Sequence, residues 1–218
     1  MVSSSLLSAL QARILRLVVA ARLDGLFLSG GAALGAFHLG HRGTSDLDLF
    51  TRDRAAYDRL VRQFVRLVED GGLSAKAGQA GPGFHRFAVS DGTDTVPVDL
   101  VLDTAPALEP TVLVDGLAVD SLADIAANKL TTIVSRCEIR DYVDLFVLER
   151  HGIDLVALLP SAQRKDAGAE AATLAFVLSD VKVNRLPEEL ARAVSAEALQ
   201  AFIDDLRRRF ARAAFPRK

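Results

Sequence analysis

Residues 96–102, Val-Pro-Val-Asp-Leu-Val-Leu, form an almost unbroken apolar run with one aspartate at its centre. A strand with one wet face alternates polar and apolar residues; a continuous apolar run reads instead as a buried strand. Asp99 is what constrains the fold. A carboxylate moved from water into apolar surroundings costs several kcal/mol unless it is paired or bound to a cation. The chain must therefore place a metal ion there, or an arginine such as Arg86.

A second strand carries more acid. Asp46-Leu47-Asp48-Leu49-Phe50-Thr51 alternates strictly, so Asp46 and Asp48 point to one side and Leu47 and Leu49 to the other. Two carboxylates at that spacing repel each other unless a cation lies between them. Mg²⁺ takes hard oxygen ligands, commonly a few carboxylates together with substrate phosphates. The other reading of the pair is a solvated strand face with Leu47 and Leu49 filling the buried side.

Upstream, Leu26-Phe27-Leu28-Ser29 reads as a short strand ended by Gly30-Gly31, and Ala32 to Leu39 as a helix opening from those glycines. A turn of this kind lets backbone approach a ligand and leaves helix N–H groups aimed at it, which suits a phosphate. It also serves as a plain structural turn in many proteins.

The remaining pattern divides the chain. Helical periodicity covers 6–22, with Ser3 to Ser5 offering N-caps, and 54–69. Strand-like stretches follow at 73–79, 84–89 and 111–114, with turn signals at Gly81-Pro82-Gly83 and Ser90-Asp91-Gly92. From Ser121 onward every segment reads as helix: 121–135, 138–150, 153–165, 169–181 and 195–213, with a short one after Pro187. The expected architecture is α/β (α+β): a small mixed sheet over residues 1–116 and a helical domain over 117–218.

Composition closes off other classes. The net charge of −2 gives no overall attraction to nucleic acid, so any such contact needs a local basic patch. The single cysteine, Cys137, excludes an intrachain disulfide, suits a reducing cytoplasm and reads as a helix packing residue. The apolar run 14–21 is interrupted by Arg16 and flanked by Arg13 and Arg22, so neither a signal peptide nor a membrane span is expected. His38, His41, His85 and His151 show no metal-ligand spacing.

A glycine turn, then Asp-x-Asp, then a lone Asp on a later strand resembles the DNA polymerase β-like nucleotidyltransferase superfamily. The wording is closer still to one branch. Ser29-Gly30-Gly31-Ala32-Ala33-Leu34, His38-Leu39-Gly40-His41-Arg42 and Ser45-Asp46-Leu47-Asp48-Leu49-Phe50 resemble the AbiEii-type nucleotidyltransferases, which include toxins such as the MenT proteins. Asp124-Ile125-Ala126-Ala127-Asn128-Lys129, Arg136 and Arg140-Asp141-Tyr142-Val143-Asp144-Leu145 agree with that family's lysine and Arg-Asp-x-x-Asp helix. Gly30-Gly31-Ala32 stands where the wider superfamily usually has Gly-Ser, and the gap to Asp46 is slightly long; both fit the AbiEii-type variant.

The resemblance implies an Mg²⁺-dependent transfer of a nucleoside monophosphate from a nucleoside triphosphate. Asp46, Asp48 and Asp99 would hold two ions, and Ser29, Gly30, Gly31, Ser45 and Arg42 would bind the nucleotide. It implies an RNA acceptor such as a tRNA 3′ end, growth arrest, a possible antitoxin partner and no membrane. A protein or small-molecule acceptor, or an inactive nucleotide-binding or partner-binding paralogue, are the alternatives.

Lys129 falls on the apolar face of its helix with Leu122, Ile125, Ala126 and Ile133, so it needs an anion: a triphosphate or a buried Asp. Ser121 and Asp124 read as a capping box for that helix. Asp141 is expected to orient Lys129 or the acceptor, the helical domain thereby contributing Lys129 and Asp141 to the cleft. Asp144 lies one turn from Arg140 and is free to pair with it. The basic tail, Arg207 to Arg209, Arg212, Arg217 and Lys218, either grips a phosphate backbone or is a solvated helix end.

Overall fold

The computed structural model describes residues 6–136 and 138–215, so Cys137, Ser3 to Ser5, Arg217 and Lys218 lie outside the described residues. The chain forms two compact units, residues 1–121 and 122–218.

The first unit is built on a seven-stranded sheet in the order β3-β4-β5-β2-β1-β7-β6. Its strands are β1 (Phe27–Ser29), β2 (Leu47–Thr51), β3 (Ser74–Gly81), β4 (Phe84–Ser90), β5 (Thr95–Leu102), β6 (Val112–Val114) and β7 (Leu117–Val119). β2 runs parallel to β5 and antiparallel to β1, and β1 runs parallel to β7, so the sheet is mixed. Val98, Leu100, Leu47 and Leu49 are all shielded from water, each burial contributing roughly 1.5–3 kcal/mol. Pro97 sits opposite Ala88 of β4, one residue before β2 begins to pair at Val98, so its missing N–H falls where β5 has a strand on one side only.

β7 was not legible as a strand. It is three residues long and follows a two-residue turn, Asp115-Gly116, both with positive φ (+50° and +83°). That geometry matches the right-handed twist of a tight hairpin. It carries the sheet past Gly116, and the units divide at Ser121 rather than at 116.

Helix α1 (Ala9–Ala21) starts later than its periodicity suggests, because Ser8 and Gln11 form the capping box. Buried Gln11 also donates through Nε2 to Thr44 O (2.9 Å) and Asp46 O (3.3 Å), tying the loop before β2 to this helix. Helix α2 (Gly30–Ala32) runs on as a π-helical segment, Ala33–Leu39. Helix α3 (Tyr57–Asp70) starts later than the expected residue 54, after Asp53 Oδ1 accepts from Ala56 N at 2.9 Å.

The second unit is helical throughout: α4 (Leu122–Ser135), α5 (Ile139–Arg150), α6 (Leu159–Lys165), α7 (Ala171–Ser179), α8 (Glu188–Ala191) and α9 (Ala196–Ala214). Its core includes Ile125, Leu130, Tyr142, Leu148, Leu174, Leu199, Ile203 and Phe210. The helix expected over 153–165 begins only at Leu159, where Pro160 enters the first turn; proline lacks an N–H and is tolerated there but not further in. Asp124, expected in a capping box, lies 3.4 Å from Lys165 Nζ, a buried ion pair between α4 and α6. Part of the basic tail is also committed: Arg209 places Nη2 at 2.8 and 2.6 Å from the Glu149 oxygens, and Arg208 pairs with Asp205. Among the described residues, no helix is long and apolar enough to cross a membrane.

Candidate active site

In the sheet unit, one row of residues runs across four strands. Ser29 of β1 is the register partner of Asp48 on β2, Asp48 of Asp99 on β5, and Asp99 of Arg86 on β4. Register partners on neighbouring strands present side chains to the same face. Asp46 lies in the loop just before β2, and its charge acts on Arg86 together with those of Asp48 and Asp99. Asp48 and Asp99 therefore share one face of the sheet, with Asp46 in the loop beside them.

The glycine turn meets this row. Gly30 has φ +63°, a left-handed conformation that a side chain rarely adopts, and a methyl group there would lie 1.9 Å from Asp48 Oδ2. The Asp48 carboxylate thus lies directly against the Gly30 backbone. Gly31 is buried, and a methyl group on it would approach Arg42 Nη2 at 3.1 Å. Arg42 is itself buried and donates from Nη1 to Gly43 O at 2.9 Å. Ser45 is exposed in the loop between them. Thr44 Oγ1 donates a short hydrogen bond to Asp46 Oδ1.

Ser29 turns inward. It is fully buried, and its hydroxyl donates to Asp120 Oδ2 at 2.8 Å, so its side chain supports the turn rather than facing a ligand. Asp120 was not singled out by sequence. It also receives Arg52 at 3.1 Å through Oδ1, accepts His38 Nε2 at 2.8 Å through its carbonyl, and donates its N–H to Leu28 O at 2.8 Å. One buried aspartate therefore holds both ends of the segment from Ser29 to His38.

Asp99 is the carboxylate whose partner is most sharply defined. Arg86 donates from Nε to Oδ1 (2.7 Å) and from Nη2 to Oδ2 (2.6 Å), a bidentate fork. The Asp99 hydrogen bond, and the charges of Asp99, Asp46 and Asp48, raise the guanidinium pKa above its ordinary value against the opposing effect of burial. The arginine pairing open from sequence is thus the arrangement found.

The donor set has the right chemistry for a hard divalent cation: Asp48 and Asp99 in register, with Asp46 just before β2 and Asp48 against the Gly30 backbone. Among the described residues no group of three acidic, histidine or cysteine side chains is closely enough gathered to be a formed metal centre. Asp46 and Asp48 with substrate phosphates would suffice for one ion; a role for Asp99 requires Arg86 to move.

In the helical unit, Lys129 Nζ lies 2.7 Å from Asp141 Oδ1 and 2.8 Å from Asp144 Oδ2. Both aspartates are fully buried and the lysine nearly so. Burial alone would lower the ammonium pKa; the charges of Asp144 and Asp141 outweigh it and raise it above 10.5. Arg136 Nε adds a contact to Asp141 Oδ2 at 3.2 Å. Of the partners open to Asp144, the structure gives Lys129 rather than Arg140: Arg140 Nε contacts Glu138 at 2.6 Å, while Asp144, one turn along from Asp141, shares its face toward Lys129. Of the two anions open for Lys129, the structure supplies buried aspartates.

A family model described as nucleotidyl transferase AbiEii toxin, type IV toxin–antitoxin system, matches residues 13–216. Among solved structures, a candidate nucleotidyltransferase from H. pylori superposes with a TM-score of 0.61 at 17% identity, covering 94% of this chain and 93% of that one. JHP933 from Helicobacter pylori does so with a TM-score of 0.55 at 17% identity, covering 94% and 92%. At that identity the likeness shows a shared fold. No curated protein matches the chain.

Proposed function

Since this chain belongs to the AbiEii family of nucleotidyl transferase toxins, we propose that the face bearing Asp46, Asp48 and Asp99 is its active site and that its acceptor is RNA, such as a tRNA 3′ end. The activity of the family is nucleotidyl transfer, and its members belong to type IV toxin–antitoxin systems. The observation that carries the site assignment is the packing of the Asp48 carboxylate against Gly30, beside Asp99 in register. A triphosphate on the Gly30-Gly31 backbone would thereby lie next to the acidic face.

In this reading the acceptor hydroxyl loses its proton to solvent and bonds to the α-phosphorus. The bond from that phosphorus to the β-phosphate oxygen breaks, and pyrophosphate leaves. Asp46 and Asp48 would hold Mg²⁺, with Asp99 as a further ligand. A bound divalent ion supplies neutralisation of phosphate charge. The protein's own part is positioning: Gly30 and Gly31 offer backbone to the β- and γ-phosphates, Arg42 stiffens Gly31 from behind, and Asp120 fixes the turn through Ser29. Ser45 is placed to reach the nucleotide from its exposed loop. Lys129, expected to meet phosphate, is instead paired with Asp141 and Asp144 inside the helical unit and takes no part in this reading.

The test is incubation of the protein with each labelled nucleoside triphosphate, Mg²⁺ and total cellular RNA. Label in RNA from one or more nucleotides, lost on chelation of Mg²⁺, is expected. Label appearing in protein instead would refute the RNA acceptor, and label that survives chelation would refute the metal assignment.

A further inference from the structure

Arg86 is in register with Asp99, and three features set it apart from an ordinary ion-pair partner. Its fork engages both oxygens of Asp99, at 2.7 and 2.6 Å, the positions a metal ion would need. Asp99 is nearly inaccessible (7% side-chain exposure) whereas Arg86 is 45% exposed, so the carboxylate is fixed and the guanidinium has solvent to move into. The neighbouring edge strand β3 loses register between Ala77 and Ala80, opposite Arg86, and Gly78 in that gap contributes no side chain beside it. Bulges of this kind re-aim or release a side chain at sites.

We propose that Arg86 is the resident cation of Asp99, and that a divalent ion entering the acidic face must displace it. The inference rests on the assignment of Asp46, Asp48 and Asp99 to metal. It accounts for the absence, among the described residues, of a formed three-carboxylate centre in a face whose donor chemistry suits one. A divalent ion that chelates both Asp99 oxygens needs the inward-facing lone pairs the fork holds, and the like charges of the two cations repel. The chain thus holds its third ligand closed until metal arrives, and the released guanidinium, half in solvent beside the site, is placed to meet the incoming phosphates.

The experiment is direct Mn²⁺ binding to the full chain, followed by electron paramagnetic resonance without nucleotide. Arg86→Gln should bind Mn²⁺ about tenfold more tightly than wild type, roughly 1.4 kcal/mol. The gain should vanish when Asp99→Asn is added, since the competition is for Asp99. Unchanged or weaker binding in Arg86→Gln would overturn the proposal. So would a gain that persists with Asp99→Asn, which would reflect only the lost positive charge. Should Arg86→Gln not fold, Arg86→Lys keeps the charge but loses the fork, and a smaller gain, again abolished by Asp99→Asn, is expected; no gain refutes displacement. Asp48→Asn in otherwise wild-type protein separates the two ideas: Mn²⁺ binding that ignores this change would refute the metal assignment itself, whatever Arg86 does.

Discussion

Asp48 and Asp99 are direct register partners on parallel strands, yet they live in different surroundings. Asp99 is buried and clamped by Arg86, while Asp48 is half-exposed and lies against Gly30. Asp48 has Asp99 in register and Asp46 two residues back, so like-charge repulsion acts on it. Asp48→Asn should leave the melting temperature unchanged or raise it, and lower transfer by at least about a hundredfold, roughly 2.7 kcal/mol of transition-state stabilisation. Mg²⁺ should raise the melting temperature of wild type more than that of the variant. A variant that melts early and still labels its acceptor would remove Asp48 from the chemistry.

Gly30→Ala tests the turn. The left-handed backbone costs an alanine about 1–2 kcal/mol, and its methyl would collide with the Asp48 carboxylate at 1.9 Å. Asp48 has to move, so transfer should fall much further than stability. Thermal melting and turnover measured on the same preparation check this. Wild-type turnover in Gly30→Ala would mean the carboxylate need not lie on that backbone.

Much of this site could be read from the sequence, because strand periodicity is local: it put Asp48 on a strand face, and the apolar run around Asp99 announced burial. What pairs with what was harder. Arg86 was one of two possible partners for Asp99, and only the β4–β5 register decides it. Asp120 was missed because its partner Ser29 lies 91 residues away, with no periodicity to link them. Gln11 was missed for the same reason: its amide reaches residues 33 and 35 positions on. Helix spacing left Asp144 free to pair with Arg140, whereas tertiary packing offered Lys129. β7 is too short to show alternation.

Asp120 gives a prediction that periodicity could not supply. Ser29→Ala removes one donor from a fully buried carboxylate, leaving Arg52 on the other oxygen. A buried acceptor stripped of a partner costs about 1–3 kcal/mol. Ser29→Ala should lose that much in urea unfolding, and its KM for the triphosphate should rise more than its kcat falls, since the displaced element is the phosphate turn. An unchanged KM would make the Ser29–Asp120 bond purely structural.

Lys129 joins stability to charge most directly. Its ammonium is the shared partner of Asp141 and Asp144, so Lys129→Met removes the cation between two buried carboxylates. Breaking a buried pair by removing one partner costs about 3–5 kcal/mol, and a loss of that size is expected in urea unfolding at neutral pH. The pH dependence has a definite sign. The folded-state pKa of Lys129 is raised above 10.5, the two carboxylates outweighing burial. A group whose pKa is raised on folding contributes stability that is complete below its unfolded value and is lost as pH climbs through its folded value. The gap between wild type and Lys129→Met should therefore be flat from neutral pH to about 10 and shrink above 10.5. A gap that widens in alkali, or a variant as stable as wild type, would show that the ammonium is not what holds Asp141 and Asp144.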